Sequence, residues 1–462
     1  MALTLITAGA SRAIAEEKDA EPNADQPVSY YKQVWPIIQR HCQGCHQPAR
    51  ADGEFIITSY ASFQKGGDMG EGFVPGKPDE SLVIDYLTGK ESPRMPKGKD
   101  PLSDKQIDLF RRWIAEGAKD DTPDSARKVL KPGEVPIYKA PPVITALVYA
   151  PGGEQLAVSG YREVLIHKSD GSERVTRYVG LSPRINSVEY SVDGSLLIVA
   201  GGSPGLFGEV QVWDTKSGKL QRSEMASYDT AFGASISSDN KQIVFGCADQ
   251  TTRLINTKGK LNAMVLKHHN DWVFGGEFSH DGKHIVTVSR DRALKLCVAE
   301  SGQFIDNITS ITPGVLGGAL LTIDRHPSKN WFLHGGEDGI PRIHKMIRTT
   351  ARRIGDDNNL IRAFEKQPGQ IAGVSFSGDG ESFVVGGFSN EARVYKTGDG
   401  ARIATLSGHE GSLYAVAMRP DGQQVATGGF DGFVRLYDTA TGKLLEQFIP
   451  VEVAADEVAA KP

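Results

Sequence analysis

The residues best suited to chemistry are two cysteines and a histidine near the start of the chain. Cys42, Cys45 and His46 form a C-x-x-C-H motif, whereas Cys247 and Cys297 each stand alone in an apolar run. A C-x-x-C pair can hold zinc, act as a redox dithiol or attach haem. A zinc site needs further ligands at suitable spacing, and the sequence has no second C-x-x-C. A dithiol of the thioredoxin kind needs a βαβ setting, but the flanking sequence predicts helices.

The histidine that directly follows the second cysteine favours a covalently bound haem c. In such a motif two thiols add to the vinyl groups of the porphyrin, and the imidazole of the next residue faces the iron. The motif therefore predicts one haem per chain, attached at Cys42 and Cys45 and ligated by His46. The solitary Cys247 and Cys297 are predicted to be small buried hydrophobic residues.

A methionine is predicted to supply the second axial ligand of the iron. Met95 lies in a P-R-M-P stretch, whose prolines keep the chain extended so that a thioether can reach inward from a loop. Met69 is the rival candidate and lies in the glycine-rich stretch 66–70. His/Met ligation fills both axial positions, so such a site favours electron transfer over oxygen or substrate chemistry.

Two predicted helices would position these residues. The first covers 29–40, and Pro36 either kinks it or marks the start of its regular part. The second covers 102–118 and begins with a capping box formed by Ser103 and Gln106. The apolar residues predicted to face the core from this helix are Ile107, Leu109, Phe110, Trp113 and Ile114.

Residues 28–120 resemble the single-haem cytochrome c domain of the planctomycete type. The stretches that carry the resemblance are VWPIIQRHCQGCH, VPGKPDESLVIDYL and RMPKGKDPLSDKQIDLFRRWIAEGA. The resemblance implies a small all-α cytochrome c domain. It also implies that Cys42 and Cys45 are the thioether attachment points, that His46 is the proximal iron ligand and that Met95 is the distal one.

A repeating unit of apolar strands and polar turns occupies residues 143–450. Its repeat lengths run from 41 to 52 residues. The turns begin at Tyr149, Tyr190, Ile236, Phe278, Asp324, Phe376 and Met418. A period in the low forties, with about four short strands per unit, is typical of propeller blades. Seven units therefore predict an all-β, seven-bladed propeller, and the ring-closing strand stays open between 443–448 and 135–139.

The repeats resemble WD40 repeats in degraded form. Trp213 and Tyr437 each precede an aspartate, and His269 and His409 precede the fourth and seventh units. The aspartates predicted in the turn before the third strand are Asp249, Asp291, Asp338 and Asp431. The resemblance implies that these histidines and aspartates belong to a structural hydrogen-bond network. No catalytic site is predicted in the propeller.

Composition and the chain ends restrict the class of protein further. The 462 residues include 52 Lys and Arg against 57 Asp and Glu, a net charge of −5, which argues against a nucleic-acid-binding protein. No stretch approaches the ~20 apolar residues of a transmembrane helix. Residues 1–27 are predicted to be a signal-like leader and linker, 121–142 a proline-rich linker and 451–462 a tail.

The sequence predicts an exported, periplasmic bacterial protein that transfers electrons, because the resemblance implies haem attachment outside the cytoplasm. The propeller would dock a redox partner protein or act as a scaffold. The basic residues around Met95, namely Lys90, Arg94, Lys97 and Lys99, would steer a partner with an acidic surface. Two alternatives stay open: a redox enzyme whose propeller binds substrate or a second cofactor, and a sensor of redox state or gas.

Overall fold

The computed structural model describes residues 26–43, 45–47, 50–123, 132–227, 229–259, 263–309, 317–351, 353 and 357–454. The predicted leader up to position 25, positions 124–131 of the predicted linker and positions 455–462 of the predicted tail lie outside the described residues. The described residues divide into two compact units. One comprises 26–43 and 53–123, and the other comprises the short segment within 44–52 and everything described from 132 onward.

The first unit is helical, which is compatible with the predicted small cytochrome c domain. A π-helical turn, Tyr30–Val34, leads into the first α-helix, and a 3₁₀ turn covers Pro78–Glu80. Its α-helices are α1 (Trp35–His41), α2 (Tyr60–Lys65), α3 (Leu82–Thr88) and α4 (Asp104–Ala115). Between α1 and α2 lie the strands β1 (His46–Gln47) and β2 (Arg50–Ala51) and a 3₁₀ turn, Asp52–Glu54.

Local sequence explains where α1 and α4 begin. Pro36 stands in the first turn of α1, directly after the π-helical turn Tyr30–Val34, so the change from the π to the α pattern occurs beside a residue that has no amide to donate. Ser103 caps α4, since its hydroxyl accepts from the Gln106 amide at 3.4 Å while Gln106 accepts from the Ser103 amide at 3.0 Å. The predicted capping box is therefore confirmed. The helix is shorter than the predicted 102–118, because Ser103 lies before it and the left-handed Gly117 (φ 94°) lies beyond its end.

An aromatic cluster forms the core of the helical unit. Trp113 of α4 is 1% exposed, and its ring centroid lies 5.1 Å from that of Tyr30 and 4.8 Å from that of Phe73. The indole Nε1 donates to the Lys119 carbonyl at 3.0 Å, so this buried donor is satisfied. The other buried residues of α4 match the prediction and are Ile107, Phe110 and Ile114.

The second unit contains seven four-stranded antiparallel sheets, which confirms the seven-bladed propeller. The strands of blade one are β3 (Leu147–Tyr149), β4 (Gln155–Ser159), β5 (Glu163–Lys168) and β6 (Arg174–Val179). Those of blade two are β7 (Arg184–Tyr190), β8 (Leu196–Ser203), β9 (Phe207–Asp214) and β10 (Leu220–Ser227). Those of blade three are β11 (Ala231–Ile236), β12 (Gln242–Cys247), β13 (Thr252–Asn256) and β14 (Ala263–Leu266).

The remaining four blades follow the same order along the chain. The strands of blade four are β15 (Val273–Phe278), β16 (His284–Ser289), β17 (Leu294–Val298) and β18 (Phe304–Asn307). Those of blade five are β19 (Leu320–Arg325), β20 (Trp331–Gly336), β21 (Arg342–Lys345) and β22 (Leu360–Ala363). Those of blade six are β23 (Ile371–Phe376), β24 (Ser382–Gly387), β25 (Glu391–Lys396) and β26 (Arg402–Ser407). Those of blade seven are β27 (Leu413–Met418), β28 (Gln424–Gly429), β29 (Val434–Asp438) and β30 (Leu444–Phe448).

The repeated turns join the first and second strands of every blade, where the sequence predicts them. In four of these turns a serine hydroxyl donates to the aspartate two residues later and accepts from the first amide of the second strand. These serines are Ser191, Ser237, Ser279 and Ser377. A local side-chain hydrogen bond of this kind stabilises a turn without any tertiary contact. The repeated turns can therefore be recognised from the sequence.

The ring closes without a strand shared between the first and last blades. Leu444–Phe448 is the outermost strand of blade seven, and residues 135–139 belong to no blade. Tyr138 instead forms a parallel bridge with Val453, and the Ala454 amide donates to the Tyr138 carbonyl at 2.8 Å. Of the two segments that the sequence leaves open, the earlier one therefore pairs with the chain after the last blade.

Candidate functional site

Cys42, the first predicted attachment residue, immediately follows helix α1. Its amide donates to the Ile38 carbonyl at 2.9 Å, which continues the helical hydrogen-bond pattern by one residue. Ile38 is completely buried, whereas Cys42 is half-buried and packs against the core of the helical unit. The end of α1 therefore places this cysteine at the border of the core.

Cys45 and His46 lie in the short segment that groups with the second unit. Both residues are half-buried. His46 begins β1, which pairs with β2 so that His46 lies opposite Ala51. The Asp52 amide donates to the Cys45 carbonyl at 3.2 Å. A short two-stranded pairing therefore follows the second cysteine directly.

Met95 and Met69 differ sharply in their surroundings. Met95 is half-buried and packs against the same core as Cys42, and its amide donates to the Tyr86 carbonyl of α3 at 3.0 Å. The side chain of Met69 is 66% exposed. The structure therefore brings Cys42 and Met95 to one core and leaves Met69 in solvent.

The chemistry of these side chains fits a c-type haem. All four cysteines lie in described segments and no two of them form a disulfide, and thioether formation at Cys42 and Cys45 requires thiols that are not joined in a disulfide. A porphyrin supplies four nitrogens to its iron, and an imidazole and a thioether complete the coordination. Within the described residues, no three His, Cys, Asp or Glu side chains form a group that would hold a metal ion by themselves.

The basic residues around Met95 do not all remain available to a partner. The Lys90 ammonium pairs with Asp85 at 2.9 Å, and Arg94 Nε donates to the Leu87 carbonyl at 3.1 Å. Lys97 is exposed in the same loop. The predicted basic rim therefore loses two of its members to contacts within the helical unit.

Lys99 lies near a second basic residue, Arg40, which is far from it in the sequence. Burial lowers the pKa of His41, and the charges of Arg40 and Lys99 lower it further. Arg40 and Lys99 are therefore close to the same imidazole, although they are far apart in the sequence. Both are exposed. Arg40, Lys97 and Lys99 are thus exposed positive charges near the end of α1 and in the Met95 loop, whereas Lys90 and Arg94, although exposed, are bound to α3.

Blades four and seven contain the predicted histidine–aspartate networks. In blade four, His269 Nδ1 lies 2.9 Å from Asp291. In blade seven, His409 Nε2 lies 2.6 Å from the Thr427 hydroxyl, and its Nδ1 lies 3.5 Å from Asp431. Both histidines are buried and use their ring nitrogens inside the blade. These contacts form the structural hydrogen-bond network that the resemblance to WD40 repeats implies.

The network around His409 predicts that acid destabilises the propeller. Burial and the charge of Arg435 lower the pKa of His409 to about 4, although Asp431 opposes the shift. Since this value lies below the ~6.5 of an unfolded histidine, protonation favours the unfolded chain. The contribution of His409 to the free energy of unfolding is therefore fully present above pH 6.5. It falls as the pH drops towards 4, by at most ~1.4 kcal/mol per pH unit.

Urea unfolding of the full chain between pH 4 and 7 measures this dependence. The variant His409→Gln is expected to have a shallower slope of unfolding free energy against pH, because it cannot take up that proton. A variant whose slope equals that of the wild type would contradict the assignment.

A second histidine pair, in blade five, was not predicted from the sequence. His334 Nε2 and His344 Nδ1 lie 2.9 Å apart across β20 and β21, and His344 Nε2 lies 3.2 Å from Asp357. In the strand register, His334 takes the position of Thr427 and His344 that of Tyr437. Both imidazoles are completely buried, and burial lowers the pKa of His334 far below its ordinary value. The pair therefore replaces the threonine and tyrosine of blade seven.

Cys247 and Cys297 are buried on β12 and β17, as the sequence predicts. Burial raises the pKa of the Cys247 thiol to about 12 and that of Cys297 to about 11. Since the thiolate is the reactive form, both thiols are unreactive at neutral pH.

The central channel holds carboxylates that the sequence did not single out. The channel has a volume of about 520 Å³ and is lined by the first strands of the blades, including Glu189, Glu277 and Asp324. Burial raises the pKa of Glu277 to about 8 and that of Asp324 to about 6, and it raises that of Glu189 well above its ordinary value. Ser235 donates to Glu277 at 2.9 Å, and the Phe376 amide donates to Asp324 at 2.7 Å.

Comparison with known families agrees with both halves of the chain. Residues 42–98, which include the four predicted haem-binding residues, match the family described as planctomycete cytochrome C. Residues 261–297 and 400–438 match the WD domain, G-beta repeat. These two matches cover much of blades four and seven, where the histidine–aspartate networks are found. No described helix has the length and apolar character needed to span a bilayer.

One curated protein resembles part of the chain. It is a guanine nucleotide-binding protein subunit beta-like protein of Encephalitozoon cuniculi, 38% identical over 155 residues. The alignment covers 32% of this chain and 43% of that protein, so the chain spans less than half the length of this relative. The similarity supports the propeller fold.

Proposed function

We propose that this chain, which joins a planctomycete-type cytochrome c segment to a seven-bladed WD40 propeller, is an exported electron-transfer protein. One haem c would be bound covalently by Cys42 and Cys45, with His46 and Met95 on the iron. The bound haem supplies a one-electron iron couple. The observation that carries the proposal is that Cys42 and Met95 pack on one core while Met69 is in solvent.

The residues of the chain would restrict the site to electron transfer. His46 and Met95 would both hold the haem iron, and a site held by two side chains would leave no open place for oxygen or a substrate. Cys42 and Met95 pack against a core rich in buried aromatic residues, which would keep water from that side of a bound haem. A periplasmic location is part of the proposal, because the resemblance to planctomycete-type cytochrome c implies haem attachment outside the cytoplasm.

Intact mass and a pigment assay test the proposal directly. Full-length protein produced in a bacterium with a c-type maturation apparatus is expected to exceed its polypeptide mass by one haem. The doubly substituted Cys42→Ser/Cys45→Ser protein is expected to lack that increment. The matched control Cys297→Ser is expected to retain it. A colourless wild-type chain of polypeptide mass would refute haem binding.

The propeller would serve as the docking module for a redox partner. The side chains of Tyr161, Phe388 and Phe430 are 47%, 43% and 63% exposed, and each directly follows, or lies within two residues of, the second strand of its blade. Trp272, 39% exposed, directly precedes the first strand of blade four and so lies at the same end of the strands. Aromatic residues are enriched in protein interfaces, which supports a docking role for this end of the propeller.

The exposed basic residues predict salt-dependent reaction with an acidic redox partner. Replacement of Lys97 and Lys99 by Glu is expected to lower the rate of reduction about tenfold at low ionic strength, and the difference is expected to shrink as salt screens the charges. Stopped-flow reduction by an acidic ferredoxin-like protein measures this rate. The matched control is the double replacement of Lys216 and Lys219, exposed in blade two, by Glu. Equal rates for wild type and the Lys97/Lys99 variant at low salt would exclude electrostatic steering by this loop.

The channel favours one alternative, a redox enzyme whose propeller binds a substrate or second cofactor. Carboxyl groups with raised pKa values in a cavity, here Glu189, Glu277 and Asp324, are a common property of binding sites. Absorption spectra of the purified chain distinguish the two functions. A single haem c spectrum favours the electron carrier, whereas an additional chromophore favours the enzyme.

A further inference from the structure

The loop that carries Met95 caps the open end of helix α3. The last carbonyls of an α-helix have no partner within the helix. In α3, the Tyr86 carbonyl accepts from the Met95 amide at 3.0 Å and the Leu87 carbonyl accepts from Arg94 Nε at 3.1 Å. Leu87 itself is buried in the core, with 3% of its surface exposed. Two consecutive carbonyls of an anchored helix therefore hold two consecutive residues of the loop.

The Arg94 side chain lies against the residue that ends the helix. Gly89 has the left-handed φ of 82°, which lets the chain reverse after α3. A Cβ built on Gly89 would lie 3.2 Å from Cδ and 3.5 Å from Cγ of Arg94. The aliphatic part of the Arg94 side chain thus packs against the end of α3 at Gly89. This packing brings Nε to the Leu87 carbonyl.

Separate contacts hold the first half of the loop. The Glu91 amide donates to the Asp85 carbonyl at 3.1 Å, and Lys90 pairs with the Asp85 carboxylate at 2.9 Å. These bonds end four residues before Met95. Arg94 is the side chain that fixes the second half, one residue from the sulfur-bearing residue.

We propose that Arg94 is a positioning residue for Met95. It holds the loop in the register in which the Met95 amide bonds to Tyr86, and so keeps the thioether at the border of the core. This inference rests on the proposed function, in which Met95 is an iron ligand. Lysine cannot replace arginine here, because its only donor is the terminal ammonium, and it has none at the Nε position. The role therefore depends on hydrogen-bond geometry and not on positive charge.

Two measurements on the full-length protein test the role of Arg94. The first is the exchange rate of the Met95 amide, followed by NMR after labelling the seven methionines with ¹⁵N. The second is the affinity of the ferrous haem for carbon monoxide, which competes with the thioether. In Arg94→Lys both are expected to rise about tenfold, the usual effect of losing a hydrogen bond from a charged donor. The variant Gly89→Ala, whose methyl group crowds the Arg94 stem and strains the left-handed backbone at the end of α3, is expected to change both in the same direction.

Two control substitutions distinguish the loss of the Arg94 hydrogen bond from a general effect of changing a basic residue. Arg111 pairs with Asp79 at 2.9 Å on α4, and Arg111→Lys is expected to leave both measurements unchanged. Lys97→Gln removes a charge from the Met95 loop and is also expected to change neither. If the Met95 amide of Arg94→Lys exchanges as in the wild type, or if Lys97→Gln changes the two measurements as much as Arg94→Lys, the inference is overturned.

Failure of the proposed function would be distinguishable from failure of this inference. A wild-type chain without haem would refute the function, and the amide measurement would still decide whether Arg94 holds the loop. A chain with haem whose Met95 amide exchanges equally fast in the wild type and Arg94→Lys would retain the function and refute the role of Arg94.

Discussion

Replacing Met95 by alanine is expected to turn a closed haem site into an open one. If a haem is bound as proposed, loss of the thioether would leave its iron held by His46 alone, so carbon monoxide is expected to bind within seconds at neutral pH. The midpoint potential is expected to fall, because thioether ligation favours the ferrous state. Absorption spectra under carbon monoxide and a redox titration measure these two effects.

Met69→Ala is the matched control for this prediction. Met69 is 66% exposed, so its replacement is expected to leave the spectrum, the potential and carbon monoxide binding unchanged. If Met69→Ala opened the site and Met95→Ala did not, the assignment of the distal ligand would be reversed. Rapid carbon monoxide binding by the wild-type protein would instead favour the gas-sensor alternative.

Replacing Trp113 by alanine is expected to unfold the helical unit or nearly so. The indole is 1% exposed and touches the rings of Tyr30, Phe73 and two other aromatic residues. Truncation of a buried aromatic residue costs about 3–5 kcal/mol, which is comparable to the whole stability of a small domain. Trp113→Phe retains most of the packing and loses the bond to the Lys119 carbonyl, so a loss of only about 1 kcal/mol is expected.

Limited proteolysis and hydrogen exchange locate the damage from Trp113→Ala. Peptides from 53–123 are expected to lose protection while the blades keep theirs. Trp272→Ala is the matched control, because this tryptophan is 39% exposed in the propeller, and its removal is expected to cost less than about 1 kcal/mol. Unchanged protection of the helical unit in Trp113→Ala would show that the aromatic cluster is not its main source of stability.

The proposed haem-binding residues differ in how far sequence alone predicted them. Cys42, Cys45 and His46 were predicted as a set because the attachment chemistry requires them within five consecutive residues. The proposed distal ligand lies about fifty positions away, and there the sequence supplied two candidates. Packing favours Met95, since only a folded core distinguishes a half-buried side chain from an exposed one.

The basic residues around Met95 also could not be assigned fully from the sequence. Four charges close together in sequence suggested one surface, but Lys90 and Arg94 are engaged with α3. Arg40, which is distant in sequence, lies near Lys99 instead. Whether a basic side chain is free to meet a partner depends on whether it binds a nearby helix end in the folded protein. The spacing of residues in the sequence does not show this.

By itself, the sequence determined the features that depend on neighbouring residues: the attachment motif, the Ser103 capping box, the blade turns and the number of blades. Each of these is stabilised by contacts a few residues apart, so its signature is local. Tertiary structure alone decided the arginine that caps α3 beside Met95, the His334–His344 pair and the carboxylates facing one another in the channel. These depend on strand register and on which elements pack together, and such contacts join residues seven to over a hundred positions apart.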